Sequence, residues 1–163
     1  GKQLKFMRKL IERKYRVQLQ LDTLPVLMRS KNYNYAIRGY PLGFKSPPVG
    51  GGPSKDIYLY NHLKFSVTYN DDVEGGGYHI TGFDVHPVSI KHDMPAGKTQ
   101  VDKRDKITSC SGMSVENDSS KYLALEDNGS PVPIVYSYDI TWVRNDKLTW
   151  SDRWDVYLVA SPD

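Results

Sequence analysis

Alternation of apolar and polar residues with a period of two is the feature that most constrains this sequence. The cleanest instance covers nine residues, in which Ile134, Tyr136, Tyr138, Ile140 and Trp142 share one parity. Successive side chains of a β-strand point to opposite faces, so this pattern predicts a strand with one buried face. Other alternating runs predict further strands at residues 17–21, 63–69, 78–90, 122–125 and 154–158.

The residues between these runs indicate how the predicted strands connect. A turn of asparagine, aspartate and glycine within residues 70–77 separates two alternating runs, which predicts a β-hairpin. In the returning strand Ile80 and Phe83 differ in parity, so Gly82 between them is a candidate β-bulge. Short strands joined by turns favour an antiparallel β-sandwich, so the fold class that we predict is mainly β.

Shared parity along each predicted strand also predicts the core, because a slip of one residue would expose a whole set of apolar side chains. We expect most of the sandwich core to come from Leu63, Phe65, Val67, Phe83, Val85, Tyr136, Tyr138, Ile140, Trp142, Trp154, Val156 and Leu158.

Two segments depart from the strand pattern. Leu4, Met7 and Ile11 recur at helical spacing among lysines and arginines, which predicts one short accessory helix near the N-terminus. Residues 32–53 are rich in glycine and proline and carry no periodicity, so we predict a long surface loop there. Residues 1–163 together have the length of a single domain.

Charge and hydropathy exclude several classes of function. The 22 Lys and Arg against 19 Asp and Glu leave a net charge of +3, which is too small and too scattered for a nucleic-acid-binding protein. No run approaches the ~20 apolar residues that a membrane-spanning helix needs, and no signal-peptide pattern begins at Gly1. If the protein works at a membrane, we expect its anchor to lie outside this sequence.

The sequence offers weak candidates for a metal site and none for catalysis. His62, His79, His86 and His92 lie on or beside two strands that we expect to pair, but their spacing matches no standard ligand motif. No Ser, Cys or Thr lies in a nucleophile-elbow context, and the glycines at residues 50–52 lack the Lys and Ser or Thr of a phosphate loop. We therefore predict a non-catalytic domain without a cofactor.

Other polar residues have a structural and a functional interpretation. Arg153, next to Trp154 and between two aspartates of which one is Asp155, predicts an ion pair at a sheet end, with ligand recognition as the alternative. Asn117 and Asn128 each begin an Asn-x-Ser sequon within a polar turn. Cys110 is the only cysteine, so it is either a packed apolar side chain or half of a disulfide whose partner lies outside the sequence.

Several blocks of the sequence resemble the lumenal region of the nonaspanins, also called the transmembrane nine superfamily or endomembrane protein 70 family. The main blocks are YNHLKF at residues 60–65, TGFDVHPVSIKH at 81–92, YDITW at 138–142 and WSDRWDVYL at 150–158. Asn61, His62, Arg153, Trp154 and Asp155 are the motif residues within them. DTLP at residues 22–25 and GYPLGF at 39–44 add to the resemblance, which covers most of the chain.

The resemblance implies a location and a class of function. Family members have a signal peptide, a lumenal domain and nine transmembrane helices, reside in Golgi and endosomal membranes, and take part in sorting membrane proteins. It implies that this chain is the C-terminal part of the lumenal domain and that its partners are membrane-protein cargo and the protein's own transmembrane region. No catalytic residues are established for the family.

The resemblance also bears on the modification sites and on the alternative function. It implies that Asn117 and Asn128 face the lumen, where they would be glycosylated, and that Cys110 pairs with a cysteine N-terminal to this chain. A lumenal ligand binder for glycan or metal is the alternative to an interaction domain. Exposed aromatic rings could stack on sugars, and a link of the family to copper homeostasis makes copper the metal to consider.

Overall fold

The computed structural model describes residues 1–30, 35–46, 56–72, 74–110 and 118–159, with Cys110 and Val159 described by their backbone alone. Eleven strands lie in the described ranges: β1 Arg16–Val17, β2 Gln20–Leu21, β3 Leu24–Pro25, β4 Leu27–Arg29, β5 Ala36–Arg38, β6 Tyr40–Pro41, β7 Gly43–Lys45, β8 Ile57–Leu59, β9 His62–Asp72, β10 Gly77–Val88 and β11 Ser137–Arg144. The helices are α1 Lys2–Glu12 and α2 Asp155–Val159, with short 3₁₀ turns at Thr108–Cys110 and Ser119–Lys121.

The protein is mainly β with a short N-terminal helix, as predicted. Five strands form the largest sheet, in the order β11-β9-β10-β4-β5, and the pairs β1-β6, β2-β3 and β7-β8 form two-stranded sheets. β4 pairs with β5 antiparallel but with β10 parallel, so the large sheet is mixed and not antiparallel throughout. The β-sandwich stays a prediction. None of the described helices is long and apolar enough to cross a membrane.

The chain divides into two compact units, each assembled from three segments. The first unit contains residues 1–15, 41–62 and 87–137, and the second contains residues 16–40, 63–86 and 138–163. The prediction that residues 1–163 form a single domain stays a prediction.

The first unit has a small apolar core between α1 and the β7-β8 pair. Ile11 is the buried residue of α1, and Leu4 and Met7 on the same helical face pack against the same cluster. The other buried members are Ile57, Leu59, Leu123 and Leu125. A cluster of four rings, Phe44, Tyr58, Tyr60 and Tyr122, has neighbouring ring centroids 5.0–5.4 Å apart. The helical spacing predicted from the sequence thus gives the buried face of α1.

The second unit has an apolar core packed against the large sheet. Its buried members are Leu24, Val26, Leu27, Ala36, Tyr40, Val67, Phe83, Val85 and Tyr157, and Leu63, Phe65 and Val156 are among the partly buried residues packed against them. The predicted hairpin joins β9 to β10, with the amide of Gly76 donating to the carbonyl of Asp72 at 2.8 Å. Burial alternates through Thr81, Phe83 and Val85 without a change of phase, so the strand does not need the bulge predicted at Gly82.

The predicted loop at residues 32–53 is wrong for the part of it that the structure describes. Residues 36–45 form β5, β6 and β7, each two or three residues long. Strands this short show too few alternations to give a period, which is why the sequence pattern missed them. Gly39, with φ +73°, turns the chain between β5 and β6, a conformation that side chains with a Cβ rarely adopt.

Part of the predicted core is wrong, because the apolar face of β11 is exposed. Tyr138, Ile140 and Trp142 are exposed, and so is Tyr136 just before the strand. Parity correctly groups the three strand residues on one face, but it does not say whether another element covers that face.

The predicted last strand at residues 154–158 is a short helix. Trp154 and Tyr157 lie three residues apart and their ring centroids are 5.1 Å apart, a neighbour relation that a helix gives and a strand does not. Tyr157 is buried, whereas Trp154 and Leu158 are exposed. Five residues fit a period of two and a single helical turn about equally well, so the sequence could not separate the alternatives.

Candidate functional site

Arg153 is a buried cation in the second unit and is held by groups distant in sequence. Its Nη1 donates to Asp22 Oδ2 at 2.8 Å and to the carbonyl of Ile80 at 3.1 Å. Asp22 and Thr23 form the turn of the β2-β3 hairpin with φ values of 48° and 65°, and Nη2 lies 3.4 Å from Thr23 Oγ1. The guanidinium carbon lies 4.5 Å from the ring centroid of Trp150. The residue therefore ties the hairpin turn to the large sheet.

The residues that flank Arg153 in sequence have other roles. The ion pair found for Arg153 in the described part of the chain is with Asp22, not with a neighbouring aspartate. Asp155 begins α2, where its carboxylate interacts favourably with the positive end of the helix dipole. Trp154 packs on Tyr157 and is partly exposed. Sequence reasoning found the importance of Arg153 but not its partner, which lies 131 residues away.

A cavity of about 220 Å³ lies beside Arg153, and Thr81, Asp84 and Tyr157 line it as well. Asp84 Oδ2 receives a hydrogen bond from Arg29 Nε at 3.0 Å. Burial, followed by the negative charge of Asp84, raises the pKa of Tyr157 to about 12, so its hydroxyl stays protonated at neutral pH. No sequence pattern signalled this cavity, because its wall combines strands and helix that are distant in the chain.

The buried side chain of Asn61 joins the segments around Ile90 and Val135 in the first unit. Its Nδ2 donates to the carbonyls of Ile90 and Val135, at 2.7 and 2.8 Å, and its Oδ1 accepts from the amide of Ile90 at 2.9 Å. All these partners are backbone groups, so the side chain connects segments of main chain. The motif residue predicted from the sequence thus has a structural role.

His62 and His92 form a buried polar cluster with Ser137. His62 Nδ1 lies 2.7 Å and His92 Nε2 2.6 Å from Ser137 Oγ, and His92 Nδ1 lies 2.7 Å from Ser109 Oγ. Burial, followed by repulsion from His62, lowers the pKa of His92, although the charge of Asp93 acts in the opposite direction. The structure brings these two predicted histidines together, with ring centroids 6.4 Å apart.

The other two histidines do not join this cluster. His79 lies on β10, with Nε2 3.5 Å from Asp72 Oδ2, and His86 is exposed near the end of the same strand. Across the described residues, no three His, Cys, Asp or Glu side chains lie close enough together to hold a metal ion.

The predicted modification sites are described only in part. Asn128 is exposed in a turn, where its Oδ1 accepts from the amide of Ser130 at 3.0 Å. Asn117 and the side chain of Cys110 lie outside the described parts of the structure, so glycosylation at Asn117 and the disulfide stay predictions.

An exposed apolar surface, missed in the sequence, runs along β11. We call Tyr138, Ile140 and Trp142 the β11 strip; their side chains are 68, 44 and 60 % exposed. Tyr138 packs edge-on against Phe65, and Trp142 packs in the same way against Tyr69, with centroids 6.3 Å apart in both pairs. The strip thus continues an apolar face of the large sheet to its edge. In the sequence of this strand, the excess of Tyr and Trp over aliphatic residues was the signal that could have indicated an exposed binding surface.

Comparisons with known proteins give the relationship of this chain to a family. The profile of the family described as Endomembrane protein 70 matches residues 1–163. Transmembrane 9 superfamily member 10 of Arabidopsis thaliana is 29 % identical over 170 residues, covering 99 % of this chain and 25 % of the relative. A Transmembrane 9 superfamily protein of Schizosaccharomyces pombe is 31 % identical over 160 residues, covering 94 % of this chain and 21 % of the relative.

A human relative extends the match to animals. Transmembrane 9 superfamily member 2 of Homo sapiens is 25 % identical over 176 residues, covering 98 % of this chain and 24 % of the relative. No solved structure matches. The chain thus spans about a quarter of the length of these relatives. Since the family profile matches every residue from the first to the last, this chain belongs to the endomembrane protein 70 family, whose curated relatives are named Transmembrane 9 superfamily members.

Proposed function

We propose that this chain is a non-catalytic interaction domain on the lumenal side of a Golgi or endosomal membrane protein that sorts and localises other membrane proteins. Family membership supports a place in a membrane protein, since the relatives are named for their transmembrane character. The lumenal side and the compartment rest on the resemblance of the sequence blocks. The partners that we propose are membrane-protein cargo and the transmembrane region of the same protein.

The β11 strip is the observation that carries the proposal of an interaction domain. Tyr138 and Trp142 expose most of their side chains although they share a face with the partly buried Phe65. Tyrosine and tryptophan are enriched where proteins bind partners, because they bury a large area at a low cost in side-chain entropy. A partner that covers the strip would extend the apolar packing of the sheet beyond its edge.

The position of β11 suggests the form of that partner. β11 is eight residues long and lies at the end of the strand order in the large sheet. An edge strand can pair its outer backbone groups with an added strand, while the side chains of one face supply specificity. We therefore infer that the β11 strip binds an extended segment of a cargo protein.

The buried histidine cluster supports a non-catalytic role. Ser137 with His92 has the distance of a nucleophile and its base, but the other ring nitrogen of His92 faces Ser109. A neutral hydroxyl does not stabilise a protonated imidazole as a catalytic carboxylate does. His62 and His92 are 2 and 8 % exposed, which keeps their rings from a substrate in solution.

Proximity labelling of the full-length protein in cells tests the proposal. The variant Tyr138→Ser/Trp142→Ser removes the aromatic surface, and Phe6→Ser/Tyr15→Ser is a matched control that removes two exposed rings in the first unit. We expect the strip variant alone to lose labelled membrane proteins and to change the compartment in which those proteins reside. An unchanged set of neighbours with unchanged locations would contradict the proposal.

A further inference from the structure

The net charge of +3 is unevenly distributed along the chain. Residues 1–16 contain seven Lys and Arg and one Glu, whereas residues 17–163 contain 15 Lys and Arg against 18 Asp and Glu. The single acid of the first segment, Glu12, is paired with Lys45, with 3.4 Å between Oε1 and Nζ. The positive charge of the chain is therefore concentrated in and around α1.

Four of these cations form a row on the outer face of α1. The inner face of the helix is the one that buries Ile11. With 3.6 residues per turn, the opposite face contains Lys2, Lys5, Lys9 and the C-cap residue Arg13, which we call the α1 basic strip. All four side chains are exposed. Within the described ranges none of them forms an ion pair, so their charges are not neutralised by the fold.

The stability of the helix does not explain the α1 basic strip. Lys5, Lys9 and Arg13 follow one another at a spacing of four residues, at which like charges on a helix repel. Lys2 and Lys5 lie near the N-terminus of α1, where the helix dipole disfavours cations, and the first turn contains no acidic residue. Because local rules are commonly broken where a protein binds a partner, this row of charges indicates a partner of opposite charge.

An exposed aromatic ring lies within the α1 basic strip. Phe6 is 64 % exposed. Lys2 precedes it by four residues and Lys9 follows it by three, so the two cations lie one turn to either side of the ring on the same surface. An apolar ring between cations matches the boundary of a bilayer, where charged headgroups lie next to hydrocarbon.

We propose that the α1 basic strip binds the surface of a membrane that contains anionic phospholipids. Its four cations contact the lipid phosphates and carboxylates, and Phe6 enters the boundary between headgroups and acyl chains. Membership of a family of membrane proteins supports a bilayer as the anionic partner. The proposal rests on the charge and exposure of α1 and not on the proposed lumenal function, so either can fail alone.

Sedimentation with lipid vesicles tests the proposal. The 163-residue chain, with Gly1 acetylated so that its amine adds no charge, is mixed with vesicles of phosphatidylcholine or of phosphatidylserine and phosphatidylcholine at about 3 to 7. At ~0.1 M NaCl we expect binding to the anionic vesicles to be tighter by roughly 10-fold or more. At ~1 M NaCl, where the Debye length falls from ~10 to ~3 Å, this binding should be lost. No binding to the anionic vesicles, equal binding to both kinds, or binding that salt does not weaken would overturn the proposal.

Substitutions show whether the α1 basic strip is the contact. Lys5→Gln/Lys9→Gln removes two of its charges and should weaken binding to the anionic vesicles by roughly 10-fold or more. Lys103→Gln/Lys106→Gln removes as much charge elsewhere in the first unit and should weaken it by less than about 3-fold. All four side chains are exposed, so neither variant disturbs the core. Equal losses in the two variants would overturn the proposal.

Polyglutamate separates the membrane from an acidic protein segment as the partner of the α1 basic strip. It offers carboxylates without hydrocarbon, so we expect the chain to bind it more weakly than the anionic vesicles at the same concentration of negative charge. Tighter binding to polyglutamate would overturn the proposal and would assign the strip to an acidic protein segment.

Discussion

Single polar side chains decide much of the local structure here, and they act over long distances in sequence. Arg153 joins the turn at Asp22 to the carbonyl of Ile80, and Asn61 joins Ile90 to Val135. Each side chain forms hydrogen bonds with segments that are far apart in sequence. The sequence marked Asn61 and Arg153 as motif residues, but nothing local in it named their partners, because those lie far away along the chain.

At Thr81, by contrast, removing a polar group is predicted to stabilise the protein. Its hydroxyl is buried without a partner, so replacing it by the nearly isosteric valine removes a desolvation penalty. We expect Thr81→Val to raise the free energy of unfolding by about 1 kcal/mol in urea denaturation. Thr141→Val, at an exposed position of β11, should change it by less than about 0.5 kcal/mol. A destabilised Thr81→Val protein would mean that the hydroxyl has a partner.

Among the elements, the pair β7-β8 depends on a close approach of backbones. A Cβ added at Gly43 would lie 2.1 Å from the carbonyl oxygen of Tyr58 and 2.7 Å from Ile11 Cδ1, so the strand or α1 has to move. We expect Gly43→Ala to lower the free energy of unfolding by about 3 kcal/mol. Gly77→Ala in β10 is the control, because nothing lies within 4 Å of its added Cβ. Equal stabilities of the two variants in urea would contradict this packing.

The start of β11 predicts a dependence of stability on pH. Ser137, its first residue, lies between His62 and His92, and the pKa of His92 is lowered from 6.5 in the folded protein. The unfolded chain therefore binds a proton at higher pH than the folded chain does. This contribution to stability is complete above pH ~6.5 and is lost as the pH falls from there through the folded-state pKa.

Urea unfolding at a series of pH values measures this effect. We expect the free energy of unfolding to fall as the pH drops below ~6.5, above the range in which carboxylates such as Asp105 and Asp146 take up protons. His92→Gln keeps hydrogen-bonding capacity without a titratable ring and should flatten that part of the curve. His86→Gln changes an exposed histidine and should leave the slope in place. A slope that His92→Gln does not alter would show that another group causes it.

The element scale also shows where sequence reasoning succeeds and where it stops. Alternation predicted β9, β10 and β11, because eight or more residues repeat the period often enough to be read. It failed for β5–β7 and for α2, which contain one alternation or one turn each. It also placed the β11 strip in the core, because parity gives the faces of a strand but not whether another element covers a face.

On the scale of the whole molecule, family membership came from the sequence, and the candidate surfaces came from the structure. The blocks that resemble the family overlap β9, β10 and β11 and include Arg153. The β11 strip and the cavity required coordinates, since each depends on which elements lie beside one another. The proposed lumenal placement can be tested with a covalent mark.

Asn128 provides that mark, because N-linked glycan is added only on the lumenal side of the secretory membranes. Its side chain is exposed in a turn and the sequon continues to Ser130, whose amide donates to Asn128 Oδ1. We expect the peptide containing Asn128, isolated from full-length protein made in eukaryotic cells, to carry a glycan in mass spectrometry of the intact glycopeptide, and glycosidase treatment to remove it. Asn128→Gln removes the acceptor, while Ser130→Ala keeps the asparagine and removes the sequon, so both should abolish the mark. Ser130→Thr preserves the sequon and should retain it. An Asn128 peptide recovered without glycan from the wild-type protein would contradict glycosylation there. It would also weaken the proposed lumenal placement, on which the proposed function of the β11 strip depends.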